Sequence, residues 1–441
     1  MGSSDFVMLG FLARGSLGSL IIKLAIVGLA FLNQLVVTRL MGAEQFGVYV
    51  NALTWLTVLA TLARMGTDSM LTRFVAAYVV EAKWALLKGL IRFGYGAVLV
   101  ASVLLVMLGT LLLEGYQATI GQDVFLTWAG ALLLLPVTSL VVVGQSLLYG
   151  FKRPWRAQMS EALLRIAMMI VVSIVYWQSR ELSASAGMFC GLISAAVVLM
   201  IVVGWVYAAI PDDARAHSPA VTVRSWLSVC LPLGGMGLIQ LLMSQGSLLL
   251  VGLLQSDPKA VGIYAVALRV SELAAFGLQA VNLNLAPVIS ELYVTRRKER
   301  LQAVLTHAAY GILGFTVAVA VVLYSLGDKL LALFGPDFSS AYYPMLILVG
   351  GQMVNALTGS VGLLLTMTGH QGVLVRMVAV SVLITLSLGG FMVPEYGVAG
   401  AASANAIGLV VLNLANLVYV LRRLGLNPTV FGGMGLRKYW F

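Results

Sequence analysis

Runs of about twenty apolar residues recur along this chain with only short polar breaks between them, and that repetition decides which solvent the chain folds in. At 1.5 Å of rise per residue, each run is long enough for an α-helix to cross the roughly 30 Å hydrocarbon core of a bilayer. Such windows fall at 15–38, 47–66, 89–113, 124–149, 159–177, 184–210, 225–253, 261–288, 303–326, 342–366, 374–393 and 397–421, twelve in all. In lipid a backbone must satisfy its own hydrogen bonds, so runs of this length dictate helices. Composition agrees: 60% of the 441 residues are hydrophobic and 10% charged, which leaves too little polar surface for a soluble domain.

The distribution of Lys and Arg tests the count, because a missed or invented span would scramble their alternation between loops. Twenty of the 27 fall in one set of loops or at the span ends beside them and four in the other, and three, Lys23, Arg165 and Arg269, lie deeper within spans. The basic set includes both ends of the chain, so both termini are expected in the cytoplasm. The net charge of +10 is then a topology signal and not the footprint of nucleic acid. Cys190 and Cys230 both sit in apolar stretches, which indicates neither a disulfide framework nor a thiolate metal site. The opening MGSSDFVMLGFLARGS has no basic region ahead of an A-x-A-like site, and it lacks Ser or Thr at the sixth position. It reads neither as a cleavable signal nor as a myristoylation site.

The chain repeats itself. FGVYVNALTWLTVLA from Phe46 lies over VGIYAVALRVSELAA from Val261, matching Gly47 to Gly262 and Tyr49 to Tyr264. Two bundles of six spans follow, over 1–213 and 214–441. Six is even, so both enter the membrane in the same direction, related by a pseudo-twofold axis along the membrane normal. Such bundles can rock about a shared polar cavity.

Charged groups at bilayer depth cost roughly 2.5–3.5 kcal/mol even on the lenient insertion scale, so those that persist mark a polar interior or a partner. The span over 261–288 carries Arg269 and Glu272 near its middle, with Gln279 on the same helical side. Read structurally, Arg269 and Glu272 are a self-neutralising i,i+3 pair. Read functionally, Arg269 binds an anionic group while Glu272 takes up a proton or cation. Glu161 and Arg165 form a similar i,i+4 pair in the fifth span, and Glu161 is a second coupling candidate. Lys23 lies about 14 Å into the first span, deeper than its stem can snorkel, and Gln34 shares its face eleven residues on. Gln240, Ser244 and Ser247 stripe the seventh span beside Gln245. Arg64 stands at the end of the second span. Pro232 with Gly234, Gly235 and Gly237, and Asn282 and Asn284 with Pro287, mark places where helices are expected to bend. Deep cations, Lys23, Arg165 and Arg269, outnumber the deep acids, Glu161 and Glu272, and a basic lumen attracts phosphate and repels organic cations. No H-E-x-x-H, Walker A or strand-borne G-x-G-x-x-G is present, and His217, His307 and His370 are far apart in sequence. An enzyme, a metal site or a bound cofactor is not expected.

The segment TRLMGAEQFGVYVNALTWLTVLATLARMGTDSMLTRF, Thr38 to Phe74, resembles the R-x-L-G-x-x-x-F-G-x-Y signature of the Wzx-like polysaccharide flippases. These form a branch of the multidrug/oligosaccharidyl-lipid/polysaccharide exporter superfamily. PEYGVAGAASANAIG, Pro394 to Gly408, resembles that group's G-[IV]-x-G-A-A-x-A motif, and Gly150, Lys152 and Gly369 echo its GYxxxxK-like loops. The chain departs at Met41, where Leu is usual. The resemblance covers essentially the whole chain. It implies transfer of an undecaprenyl-pyrophosphate-linked oligosaccharide, an O-antigen or exopolysaccharide repeat unit, from the cytoplasmic to the periplasmic leaflet of a bacterial inner membrane. Coupling would be to H⁺ or Na⁺, with a polymerase and other glycan-assembly proteins as possible partners. The alternatives are a multidrug–cation antiporter or a lipid II flippase of the same superfamily, and, from another class, a non-transporting scaffold for glycan assembly.

Overall fold

The computed structural model describes residues 3–116 and 120–433, with side chains for Ile26 and from Gly28 to residue 432, Tyr116 and Ala216 excepted. Among the described residues the regular structure is helical. The first helices are α1 (Ser3–Arg64), α2 (Thr67–Val80), α3 (Trp84–Tyr116), α4 (Gln122–Gly150), α5 (Pro154–Ser179) and α6 (Ala184–Tyr207). There follow α7 (Asp212–Ala216), α8 (Val223–Leu254), α9 (Pro258–Val294), α10 (Lys298–Ala332), α11 (Tyr342–Thr358), α12 (Val361–Met367) and α13 (Gln371–Tyr419).

A helix of 62 residues, as α1 is, would reach roughly 90 Å, three times the apolar thickness of a bilayer. It is two spans joined at Gly42, whose φ of 74° and ψ of 173° leave the helical region. The 49-residue α13 breaks the same way at Gly397, φ 55° and ψ −132°. Helices α11 and α12 meet at an angle of 48° and together make one broken span. With α3, α4, α5, α6, α8, α9 and α10 the described residues hold the twelve expected spans, in two bundles of six. Helix α9 runs unbroken past Asn282, Asn284 and Pro287, so the helix does not unwind there. Its repeat partner breaks instead, at Met65 and Gly66 between α1 and α2, where φ is 41° and 84°.

The repeat is written into the backbone. The turn in which the Glu81, Lys83 and Trp84 N–H groups donate to Ala77, Tyr78 and Ala82 recurs 214 residues on. There Thr295, Arg297 and Lys298 donate to Glu291, Leu292 and Arg296. Ala82 and Arg296 take the same left-handed conformation, with φ 51° and 55°. Left-handed residues also pair at a spacing of 217, Lys152 with Gly369 and Arg180 with Gly397. Thus α3 answers α10, α4 answers α11 with α12, and α5 and α6 answer the two parts of α13.

Packing divides the chain into two compact units, one of residues up to Met41 with Ala52–Leu238, the other of Gly42–Asn51 with residues from Ile239 on. The boundary expected from the sequence is 213/214, and the packing boundary falls within α8. In the first unit Trp226 of α8 is fully buried, its indole N–H donating to the Tyr78 hydroxyl at 3.0 Å and its ring 5.2 Å from that of Phe93. Cys230 lies on the Met65 carbonyl at 3.1 Å, and Gly234 lets α8 approach the Met65–Gly66 break backbone to backbone. The core of this unit gathers Met70, Leu71, Leu90, Leu147, Val202 and Trp226.

In the second unit, Leu285, Ile289, Leu301, Leu305, Leu364 and Val420 form one core. Here too the two copies of the G-x-Y segment cross. A Cβ on Gly47 would stand 1.8 Å from the Pro258 carbonyl oxygen, and one on Gly262 would stand 2.6 Å from that of Ala43. Pro258 is the counterpart of Ala43, and Gly262 of Gly47, each 215 residues on. The contact is therefore reciprocal, as a local twofold requires.

Candidate functional site

Helix α9 shows how an apolar segment carries polar groups at membrane depth. The Asp257 side chain accepts from the Lys259 N–H at 2.8 Å and Pro258 takes the first turn, which starts the helix cleanly. Val261, Tyr264, Ala267, Val270, Ala274 and Gly277 then bury one face within the second unit. Arg269, Glu272 and Gln279 are left on the face this packing does not use. The Arg269 guanidinium donates from Nη1 to Glu272 Oε2 at 3.0 Å, with the two side chains 37% and 46% exposed. The i,i+3 pair is thus made; Arg269 is not a bare cation. Because each partner is still half-exposed, a competing anion can reach the guanidinium without the helix unfolding.

The stripe expected on α8 divides. Gln240 and Ser244 are exposed, and Ser244 donates to the Leu241 carbonyl of its own turn at 3.0 Å. Ser247 is buried and accepts from the Asn405 amide at 3.0 Å, with the buried Tyr264 ring beside them. Three groups from α8, α9 and α13 so tie the second unit together, which makes Ser247 an interhelical contact. Asn405 sits in the GAASANA stretch, where small neighbours let its short amide reach a facing helix, and this composition was the signal available for it.

In the first unit, Asn33 holds α1 to α5 by donating its amide to the Arg165 carbonyl at 3.1 Å. Asn33 is buried, whereas its neighbour Gln34 is half-buried. Arg165 stands 4.0 Å from Glu161, at the outer limit for an ion pair, with side chains 39% and 50% exposed. The Arg165 Nε–H is buried and donates to no partner among the described residues. Arg64 is half-buried at the end of α1, reaches the Thr61 hydroxyl at 3.5 Å, and makes no ion pair among the described residues. The side chain of Lys23 lies outside the described residues. Pairing therefore removes Arg269 and, more weakly, Arg165 from the inventory of bare cations, and leaves Arg64. No group of three His, Cys, Asp or Glu able to hold a metal occurs among the described residues.

Comparison with known proteins agrees with this architecture. A family model described as "Polysaccharide biosynthesis protein" matches residues 12–293, and one described as MatE matches residues 232–391. A "Probable low-salt glycan biosynthesis flippase Agl15" of Haloferax volcanii is 23% identical over 161 residues. That match spans 36% of this chain and 34% of the relative. Among solved structures, an inward-facing multidrug resistance MATE family transporter of the MOP superfamily superposes with a TM-score of 0.74 at 15% identity. It covers 91% of this chain and 94% of that one. The lipid II flippase MurJ, in an inward closed conformation, superposes with a TM-score of 0.71 at 14% identity, covering 91% and 87%. With twelve spans in two repeated bundles of this fold, and with a family match over more than half its length, the chain belongs to the polysaccharide biosynthesis protein family of membrane proteins.

Proposed function

We propose that the protein is a flippase that carries an undecaprenyl-pyrophosphate-linked oligosaccharide from the cytoplasmic to the periplasmic leaflet of a bacterial inner membrane by cation-coupled alternating access. The family and the glycan flippase among its relatives support the substrate class. The observation that carries the reading is the Arg269–Glu272 pair, set near the middle of an apolar helix on a face left free by packing.

A diphosphate offers several oxygens to a guanidinium, which binds phosphate bidentately and more strongly than a single carboxylate contact allows. Substrate would therefore take Arg269 from Glu272 on the cytoplasmic side. After the lipid leaves on the other side, H⁺ or Na⁺ binding at the Glu272 carboxylate would favour the return, and release of the ion to the cytoplasm would let the pair re-form, so that ion and lipid move in opposite directions. Arg64 and Arg165, and Lys23 with Gln34, are the further groups assigned to the anion, while Gln240, Ser244 and Gln279 are assigned to sugar hydroxyls. Glu161 stands to Arg165 as Glu272 does to Arg269.

Complementation of a strain lacking the gene tests this. Arg269→Ala at native expression is expected to lose surface glycan and Arg269→Lys to retain part of it, since Lys keeps the charge without the bidentate fork. Full display by Arg269→Ala contradicts the assignment. A multidrug antiporter, which shares the fold, would instead leave glycan intact and sensitise the deletion strain to cationic drugs.

A further inference from the structure

The segment from Ala208 to Thr222, between α6 and α8, forms a strap laid along the start of α3. The Ala220 N–H donates to the Ala85 carbonyl at 2.9 Å, and a Cβ on Gly89 would stand 1.8 Å from the Ala220 oxygen, so glycine is what lets the backbones touch. The Lys88 ammonium donates to the carbonyls of Arg215 and His217 at 2.6 and 2.9 Å. Arg215 folds back on the end of α6. Its Nη2 donates to the Tyr207 carbonyl at 2.9 Å, its guanidinium lies 4.5 Å from the centre of the Tyr207 ring, and its Nη1 is 3.1 Å from Asp212.

These elements enclose a cavity of about 330 Å³ within the first unit. Its charged lining is Lys88, Arg92 and Arg215, and its apolar lining includes Ile91 and Ile210. Asp212 is the one carboxylate paired to this lining among the described residues, and its side chain is 93% exposed. Arg92 makes no ion pair among the described residues, so the cavity keeps an excess of positive charge. It opens where α3 begins at Trp84 and α6 ends at Tyr207, the level at which aromatic residues mark the boundary between hydrocarbon and water. The loops on this side are the basic ones, which face the leaflet richer in anionic lipid.

We propose that this cavity binds the phosphate of an anionic phospholipid headgroup, bridged between Arg92 on α3 and Arg215 on the strap. The isoleucines would receive the glycerol and the start of an acyl chain, surface that a soluble phosphate cannot use. Bound lipid adds a third tie between strap and α3, beside the Ala220–Ala85 bond and the Lys88 contacts.

The test uses the purified full chain in nanodiscs of equimolar phosphatidylglycerol and phosphatidylcholine, with retained lipid measured after transfer to detergent. The wild type is expected to retain phosphatidylglycerol preferentially, and Arg92→Gln with Arg215→Gln to lose that preference by about fivefold per arginine. Arg92→Lys with Arg215→Lys should keep most of it, which separates lost charge from lost folding. Arg73→Gln with Arg300→Gln removes equal charge elsewhere and should change nothing. Wild-type preference in the Arg92→Gln/Arg215→Gln variant, or an equal loss in the Arg73→Gln/Arg300→Gln control, overturns the proposal. Displacement of the lipid by millimolar inorganic phosphate would show a soluble-anion site and overturn the lipid assignment.

Discussion

Replacing Gly47 by alanine adds one methyl group at the crossing of the two G-x-Y segments, and the structure says how much room that methyl has. Its carbon would stand 1.8 Å from the Pro258 oxygen and 2.6 Å from the Pro258 carbonyl carbon, where ordinary contact begins at 3.4 Å. The obstacle is backbone in the first turn of α9, with Pro258 fixed in φ, so no side chain can swing aside. The helices must separate by about 1.5 Å, which belongs at the upper end of the roughly 1–3 kcal/mol that overpacking costs. At Gly262 the nearest atom is the Ala43 oxygen at 2.6 Å, so the same change there should cost less. Because either methyl forces the same separation, the double variant should be less destabilised than the sum of the two singles. Gly311→Ala is the control: no atom lies within 4 Å of its added carbon, and alanine is the better helix former by about 0.5–1 kcal/mol. Thermal unfolding of the detergent-purified protein should order the variants Gly47→Ala below Gly262→Ala below wild type, with Gly311→Ala at or above wild type. A Gly47→Ala protein as stable as Gly311→Ala would refute the reciprocal crossing.

Other expectations follow from the same geometry. Gly66→Ala places a side chain at φ 84° and 2.3 Å from the Cys230 oxygen, so it should lose about 1–2 kcal/mol to backbone strain and more to the clash, read as lower expression and earlier unfolding. Tyr78→Phe leaves the buried Trp226 N–H without its acceptor, and should lower stability by about 1–3 kcal/mol and shift the tryptophan emission. Glu272→Gln keeps a side chain of the same size beside Arg269 and cannot take up a cation. On the proposed exchange, the protein should still bind lipid-linked diphosphate while its transport stops responding to an imposed H⁺ or Na⁺ gradient; a response equal to wild type would move the coupling role elsewhere.

Much of the fold could be read from the chain, because lipid leaves an apolar run few choices. The break at Gly42 falls in the interruption at 39–46 and that at Gly397 on the first residue after the interruption at 394–396, and helix merely continues up to a single turned residue. What the apolar windows missed is helix too short or too polar to make such a window. Helix α2 was passed over as a basic loop, since its 14 residues include Asp68 and Arg73 and offer no apolar run of spanning length. The repeat held the missing signal: residues 67–80 correspond, 214 on, to the last turns of α9. Pro287 was an unreliable sign of a break, because a helix tolerates one lost bond when its neighbours hold it, as Ser360 holds Asn282 through a hydrogen bond.

The candidate site was less legible. Spacing along one helix placed Arg269, Glu272 and Gln279 on a common unpacked face, since period alone decides that. Whether Arg269 stood free or closed on Glu272 depended on rotamers that no spacing specifies. For α8 the period placed Gln240, Ser244 and Ser247 on one stripe but could not separate their environments: Ser247 is buried by Asn405 from α13, 158 residues away, while Gln240 and Ser244 are exposed. The basic cavity beside α3 escaped notice because Lys88, Arg92 and Arg215 meet only when the strap folds back.

On the proposed exchange, Arg269 leaves Glu272 for a lipid-borne diphosphate during transport. The most direct measurement of that step is the flipping of fluorescent undecaprenyl-pyrophosphate-linked oligosaccharide in proteoliposomes containing wild type or Arg269→Ala. Flipping by the wild type is expected, accelerated by a cation gradient, with none above the lipid-only background for Arg269→Ala. Equal rates from the two proteins would contradict it.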